Sequence, residues 1–129
     1  MAEEDRTWIV STRAAKIRLR GDDIIHVVGL PGIELSQADA RAIIAALVRI
    51  SQGKKHPVLV DIRQAKTVDR EARQDLAAST DPTAVALLIA SPVSKVIGNF
   101  FVGLNKAAVP VRLFTSEAEA IGWLTGFLT

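Results

Sequence analysis

The chain contains no cysteine, which excludes disulfide staples, a thiol nucleophile and cysteine-ligated zinc. Its two histidines, His26 and His56, are too few for the usual imidazole-rich metal site. Neither has a close acidic or imidazole partner in sequence, so both are expected to be structural or solvated. Long apolar runs are missing as well. The longest, AVALLIA (Ala84 to Ala90), is far short of a membrane span. The N-terminal MAEEDRTWIV is acidic where a secretory leader is basic, so the expectation is a cytoplasmic chain without an integral membrane segment. A strong charge of one sign is also lacking. Net charge is +2, and despite a pI near 9.3 no dense Lys/Arg run suggests a nucleic-acid partner. There is no G-x-G-x-x-G after a strand, no phosphate loop ending in Gly-Lys-Ser/Thr and no G-x-S-x-G elbow. No cofactor or metal site is expected.

What is there reads as one domain. At 129 residues, 49% hydrophobic and 23% charged, the chain can bury about two-thirds of its unfolded surface. KIRLR (Lys16 to Arg20) alternates apolar and basic residues as a half-buried strand near an edge. Gly21-Asp22-Asp23 turns it into IIHVV (Ile24 to Val28), giving an opening hairpin. Residues 1–13 form an N-terminal extension whose TWIV (Thr7 to Val10) either lengthens the first strand or packs loosely. Residues 14–129 form the domain itself. Ser36-Gln37-Ala38-Asp39 predicts a capping box, and Gly53 a left-handed stop for the helix it opens. Strands then alternate with helices: PVLVDI (57–62), a short polar helix over 69–78, AVALLIA, a helix from Pro92, VPVRLF (109–114) and a last helix capped by Ser116. Ser91 and Asn105 are the expected caps of the Pro92 helix. The order ββαβαβαβα with short connections predicts an α/β fold with a mixed sheet.

Two groups of residues invite a functional reading. Asp61, Arg63, Asp69, Arg70 and Arg73 gather after the strand PVLVDI, beyond the carboxyl end where open α/β sheets collect ligands. A half-buried Asp61 with a raised pKa would suit acid–base work. The alternative is a carboxylate paired with Arg63 or Lys66 and accepting hydrogen bonds from the following loop. The arginines could form an anion or partner site at a helix start, or belong to the solvated face of Arg70, Glu71, Arg73 and Asp75. The second group lies on the helix SPVSKVIGNFFVGLNK, which carries too much apolar surface for one buried stripe. Val93, Val96/Ile97, Phe100/Phe101 and Leu104 are expected to face the sheet. Gly98, Asn99, Val102 and Gly103 are then left on a second face, where paired glycines let another surface approach. Trp8 and Trp123 read as packing residues, since no basic groove accompanies them.

VLVDIRQAKTVDREARQDL (Val58 to Leu76) resembles the central segment of STAS domains, the fold of anti-sigma factor antagonists and sulphate-transporter tails. Asp61 matches that family's strand-ending Asp, and Asp69 the Asp before its helix. The phosphorylated serine of the family falls on Arg70, its neighbour on Glu71 and the following glycine on Ala72, so the resemblance implies a STAS-like domain without a serine switch. PVLVDIR, DREARQD and the stretch from Ala90 to Leu124 resemble small uncharacterised bacterial STAS-like proteins. Some neighbouring STAS-like groups are similar to CRAL-TRIO lipid carriers, which implies a cavity under a helix.

The expected function is a non-enzymatic binding or regulatory module. It works as a homodimer or with a protein partner through Gly98, Asn99, Phe100, Phe101, Val102 and Gly103. The alternative is a carrier or sensor of a small hydrophobic ligand held between that helix and the sheet, with Phe114 and Trp123 completing the lining. A third reading, an enzyme centred on Asp61, lacks a second acid, base or nucleophile.

Overall fold

The computed structural model describes residues 9–79, 82–105 and 109–128. Trp8 and the side chains of Ile9, Leu104 and Asn105 lie outside the described set. The elements run β1 (Ile9–Ser11), β2 (Ala15–Leu19), β3 (Ile25–Gly29), β4 (Glu34–Leu35), α1 (Gln37–Ser51), β5 (Pro57–Asp61), β6 (Thr67–Val68), α2 (Arg70–Ala78), β7 (Ala84–Leu88), α3 (Pro92–Asn105), β8 (Val111–Phe114) and α4 (Glu117–Thr125).

The main sheet has the order β1-β2-β3-β5-β7-β8. β1, β2 and β3 pair antiparallel, and every later neighbour is parallel. The expected hairpin is therefore β2–β3, and Ile9 and Val10 of TWIV belong to a separate edge strand, β1, rather than to a longer first one, while Thr7 and Trp8 lie outside the described residues. Between β1 and β2, the Thr12 hydroxyl accepts from the N–H groups of Ala14 and Ala15 and fixes a tight turn. Each parallel neighbour lies one step further along the sheet, so right-handed crossovers put α1, α2 and α3 on one face. α4 returns along the other.

Strand parity divides the core accordingly. Ile17, Ile25, Val27 and Val58 pack under α1, and Leu87 packs with Ile97 and Phe101 of α3. On the opposite face Leu59, Ala86, Leu88 and Phe114 pack against Ala120 and Leu124 of α4.

The helix boundaries follow their caps. Asp39 N–H donates to the Ser36 hydroxyl, and the Ser36 N–H donates to the Asp39 carboxylate, so the capping box closes in both directions. Arg13 grips the same carboxylate through Nε and Nη2 and holds it down to about 2. α1 ends with Gln52 and Gly53 both in the left-handed region, at φ 52° and 78°. The left-handed stop thus begins one residue before the glycine. Before α3, the Ser91 hydroxyl accepts from the Ser94 N–H, while the Ser94 hydroxyl accepts from the N–H groups of Ala90 and Ser91.

The sequence pattern does not reveal the second, two-stranded sheet. β4 and β6 pair parallel in just two registers, Glu34–Thr67 and Leu35–Val68. They tie the loop after β3 to the loop after β5.

Candidate functional site

Asp61 ends β5 with its side chain on the α4 face. It is buried, and its carboxylate accepts from Arg63 three times: from the backbone N–H at 3.0 Å, Nε at 3.0 Å and Nη2 at 2.7 Å. Burial pushes the carboxyl up, but the hydrogen bonds and charge of Arg63 together outweigh it, and the group titrates below its ordinary value. This is the paired reading of Asp61, with Arg63 as the partner, and not the raised pKa that an acid–base role would call for. Lys66 pairs with Glu34 instead, at 3.3 Å on the surface.

The arginines do not converge. Arg63 reaches on to Glu117 at 4.0 Å, at the start of α4, and Glu117 reaches Arg20 at 3.9 Å. Arg73 lies on the other side of the sheet, its guanidinium 4.3 Å from the centroid of the Phe100 ring on α3. Arg70 is exposed at the first position of α2, and Asp69 is its N-cap residue without a side-chain cap bond. A single anion site built from Arg63, Arg70 and Arg73 is therefore not what the fold assembles.

On α3 the phase of the helix corrects the expected faces. Ser94, Ile97, Gly98 and Phe101 turn inward and are buried. A Cβ at Gly98 would sit 2.7 Å from Leu113 Cδ2 and 3.3 Å from Ile89 Cγ2, so the close approach permitted here is to the chain's own sheet. The outward apolar residues are Val93, 48% exposed, and Val96, 68% exposed. Asn99 and Gly103 are exposed, and Phe100 and Val102 half-buried. Phe114 and Trp123 pack together at 5.7 Å on the α4 face. They cannot line a site with Phe101, because β8 points Phe114 and Leu113 to opposite sides.

His26 is the polar residue whose environment sequence reasoning missed. It sits on β3 opposite Arg18, is buried, and neither ring nitrogen has a hydrogen-bond partner. Burial pushes the imidazole down from its ordinary value of 6.5. Glu117 pulls it up, Arg18 and Arg20 push it down, and Asp61 pulls it up. The net shift is downward. As pH falls through about 6.5 the unfolded chain takes up a proton that the folded chain refuses. Stability from this site is full above that value and is lost as pH falls toward the lowered folded value. We expect His26→Leu to flatten this dependence and to gain about 1 kcal/mol at neutral pH, since two orphaned ring nitrogens disappear. Denaturant unfolding across about pH 5–8 reads it; a variant as pH-dependent as the parent would contradict the assignment. His56, by contrast, places Nδ1 2.8 Å from the Asp23 carbonyl oxygen.

An apolar concavity lies on the face covered by α1, α2 and α3. α2 is polar, and its buried residues are only Ala72 and Ala77. Small side chains bridging from α1 to α3 do not fill the space over the centre of the sheet. A cavity of about 130 Å³ remains there. Val27, Val58, Val60 and Leu87 form its floor, Leu76 its roof and Ile43 and Phe101 its sides. Leu30, Ile33, Ile62 and Ala65 continue the lining into the loops beyond the carboxyl ends of β3 and β5, which β4 and β6 clamp together. At about 24 cal/mol per Å³ of void, leaving 130 Å³ empty costs on the order of 3 kcal/mol. That is a large share of the roughly 5–15 kcal/mol that holds a domain folded. The sequence signal, legible in retrospect, is a helix whose inward positions are alanines.

Among the described residues no group of three or more His, Cys, Asp or Glu could hold a metal, and no helix is long and apolar enough to cross a membrane. The family model described as a domain of unknown function, DUF7793, matches residues 17–128. No curated protein matches the chain. Among solved structures, an uncharacterised Shewanella loihica PV-4 protein of the DUF3478 family, described as having a SpoIIAA-like fold, aligns with a TM-score of 0.58. It is 15% identical over 92% of this chain and 91% of its own. That likeness shows the fold, which is STAS-like. A protein of unknown function from Arthrobacter sp. FB24 is 32% identical over 89% of this chain and 95% of its own, at a TM-score of 0.32.

Proposed function

The chain belongs to the DUF7793 family, and we propose that it is a non-catalytic binding module that holds a small hydrophobic ligand between its sheet and α2. The observation that carries this reading is the apolar cavity of about 130 Å³ beneath α2. It stands on the side of the sheet expected for a ligand, but under α2 rather than under α3. The absence of catalysis is supported by Asp61, whose carboxylate is taken up by Arg63. The resemblance to anti-sigma factor antagonists places no phosphorylatable serine at the start of α2, since Arg70 stands there.

Thermal unfolding in the presence of benzene, indole and hexan-1-ol tests the reading. Saturating ligand at 100 times its Kd stabilises the folded state by about 2.7 kcal/mol, a rise of several degrees. Val60→Phe projects a ring from the cavity floor. It should match that gain in part and abolish the response; Ala65→Leu serves if the larger ring disturbs folding. No stabilisation by any probe, or equal stabilisation of the filled variants, would contradict the site.

A second reading, self-association, rests on Val93 and Val96, which remain exposed on the outer side of α3. A dimer in sedimentation velocity that Val96→Glu dissociates would support it. A monomer at high micromolar concentration would end it.

A further inference from the structure

We propose, resting on the reading of the cavity as a ligand site, that the ligand is compact and uncharged. It is an aromatic or alkyl molecule of about six to eight carbon atoms, with at most a hydroxyl, and not a fatty acid or phospholipid. Size sets the first limit. An aliphatic cavity of about 150 Å³ takes up benzene, and the space here is about 130 Å³. An acyl chain of lipid length outruns this space: the sheet closes it below and α1 and α3 at its sides, and past the loops beyond β3 and β5 the chain would lie in water.

Charge sets the second limit. Among the described residues no Lys, Arg or His lines the cavity, and its polar side chains are those of Thr67 and Ser79, since Asp61 turns its carboxylate to Arg63 on the α4 face. Of the cations nearby, Arg63 pairs with Asp61 and Lys66 with Glu34, while Arg73, whose Nε is buried without a hydrogen-bond partner, lies over the Phe100 ring and does not line the cavity. A ligand carboxylate or phosphate would leave water without a partner, a strongly disfavoured burial. A hydroxyl is different, because Thr67, before α2, and Ser79, after it, are not buried and each offers a donor and an acceptor.

Matched probes test the limits separately. We would titrate hexan-1-ol, hexanoate and decan-1-ol at pH 7 into the full chain labelled on its Ile, Leu and Val methyls, and follow Val60, Leu76 and Leu87 by NMR. The expected result is that hexan-1-ol shifts these methyls, hexanoate needs at least tenfold more to do so, and decan-1-ol leaves them unmoved. Hexanoate binding as well as hexan-1-ol would overturn the charge limit, and decan-1-ol moving the same methyls would overturn the size limit. Either outcome leaves the cavity as a ligand site. If no probe moves them, or if Val60→Phe or Ala65→Leu responds as the parent does, the reading beneath the proposal falls with it.

Discussion

Replacing Gly98 by leucine should lower the stability by about 3 kcal/mol, at the upper end of ordinary overpacking, and leave the oligomeric state unchanged. The side chain would enter space already held by Leu113 and Ile89, where even a Cβ meets Leu113 Cδ2 at 2.7 Å. Gly98→Ala is a finer probe. Alanine gains up to about 1 kcal/mol of helix propensity over glycine, and the methyl of Leu113 has to give way for it, so the two effects roughly offset. Were Gly98 a contact between protomers, leucine would shift the sedimentation profile and spare the unfolding midpoint. The expected pattern is the reverse, read by denaturant unfolding beside sedimentation velocity.

The second large effect is expected from Arg63→Ala, at about 2 kcal/mol. Removing one partner of a fully buried ion pair costs roughly 3–5 kcal/mol, and the Arg63 side chain is 42% exposed, which reduces that figure. The sign of the pH dependence distinguishes this from lost packing. In the parent, Asp61 titrates below its ordinary value. It therefore contributes stability above its unfolded value that is lost as pH falls through the folded one. Without Arg63, burial is opposed only by the smaller pull of His26, and the carboxyl moves up. The loss then stands at neutral pH and shrinks as the pH falls and Asp61 takes up its proton. A loss independent of pH between about 3 and 7 would contradict the pairing as its cause.

Much of this fold could be read from local chemistry. The box at Ser36 and Asp39, the serine before Pro92 and the alternation through KIRLR each rest on neighbours within a few residues, and each appears in the structure. So does the strand–helix alternation that makes the sheet parallel from β3 onward. The two-residue strands β4 and β6 were not legible, because their pairing joins segments 33 residues apart and has no periodicity of its own. The inward face of α3 was misread for a specific reason. Val93 and Val96 compete with Ile97 and Phe101 for the same helical stripe, and Ser94 looks like an outward residue. Ser94 faces inward at no cost because its hydroxyl is satisfied by Ala90, Ser91 and the Ser91 carbonyl. Once Ser94 is inside, the helix is rotated and Gly98 goes in with it.

The candidate site was legible in outline only. Asp61 and Arg63 are adjacent enough in sequence for their pairing to be anticipated. The cavity depends on what α2 fails to fill between α1 and α3, and a missing volume leaves no mark on any single residue except the alanines at 72 and 77. Phe114 and Trp123 lie on the opposite side of the sheet from Phe101, which is decided by strand parity along VRLF and not by aromatic content.

The most direct test of the central claim is a crystal structure of the full chain soaked with benzene. The account expects the ring beneath α2, against Val60 and Leu76, with the surrounding backbone unmoved. A cavity closed by Leu76 resting on Val60, with no ligand in it, would contradict the account.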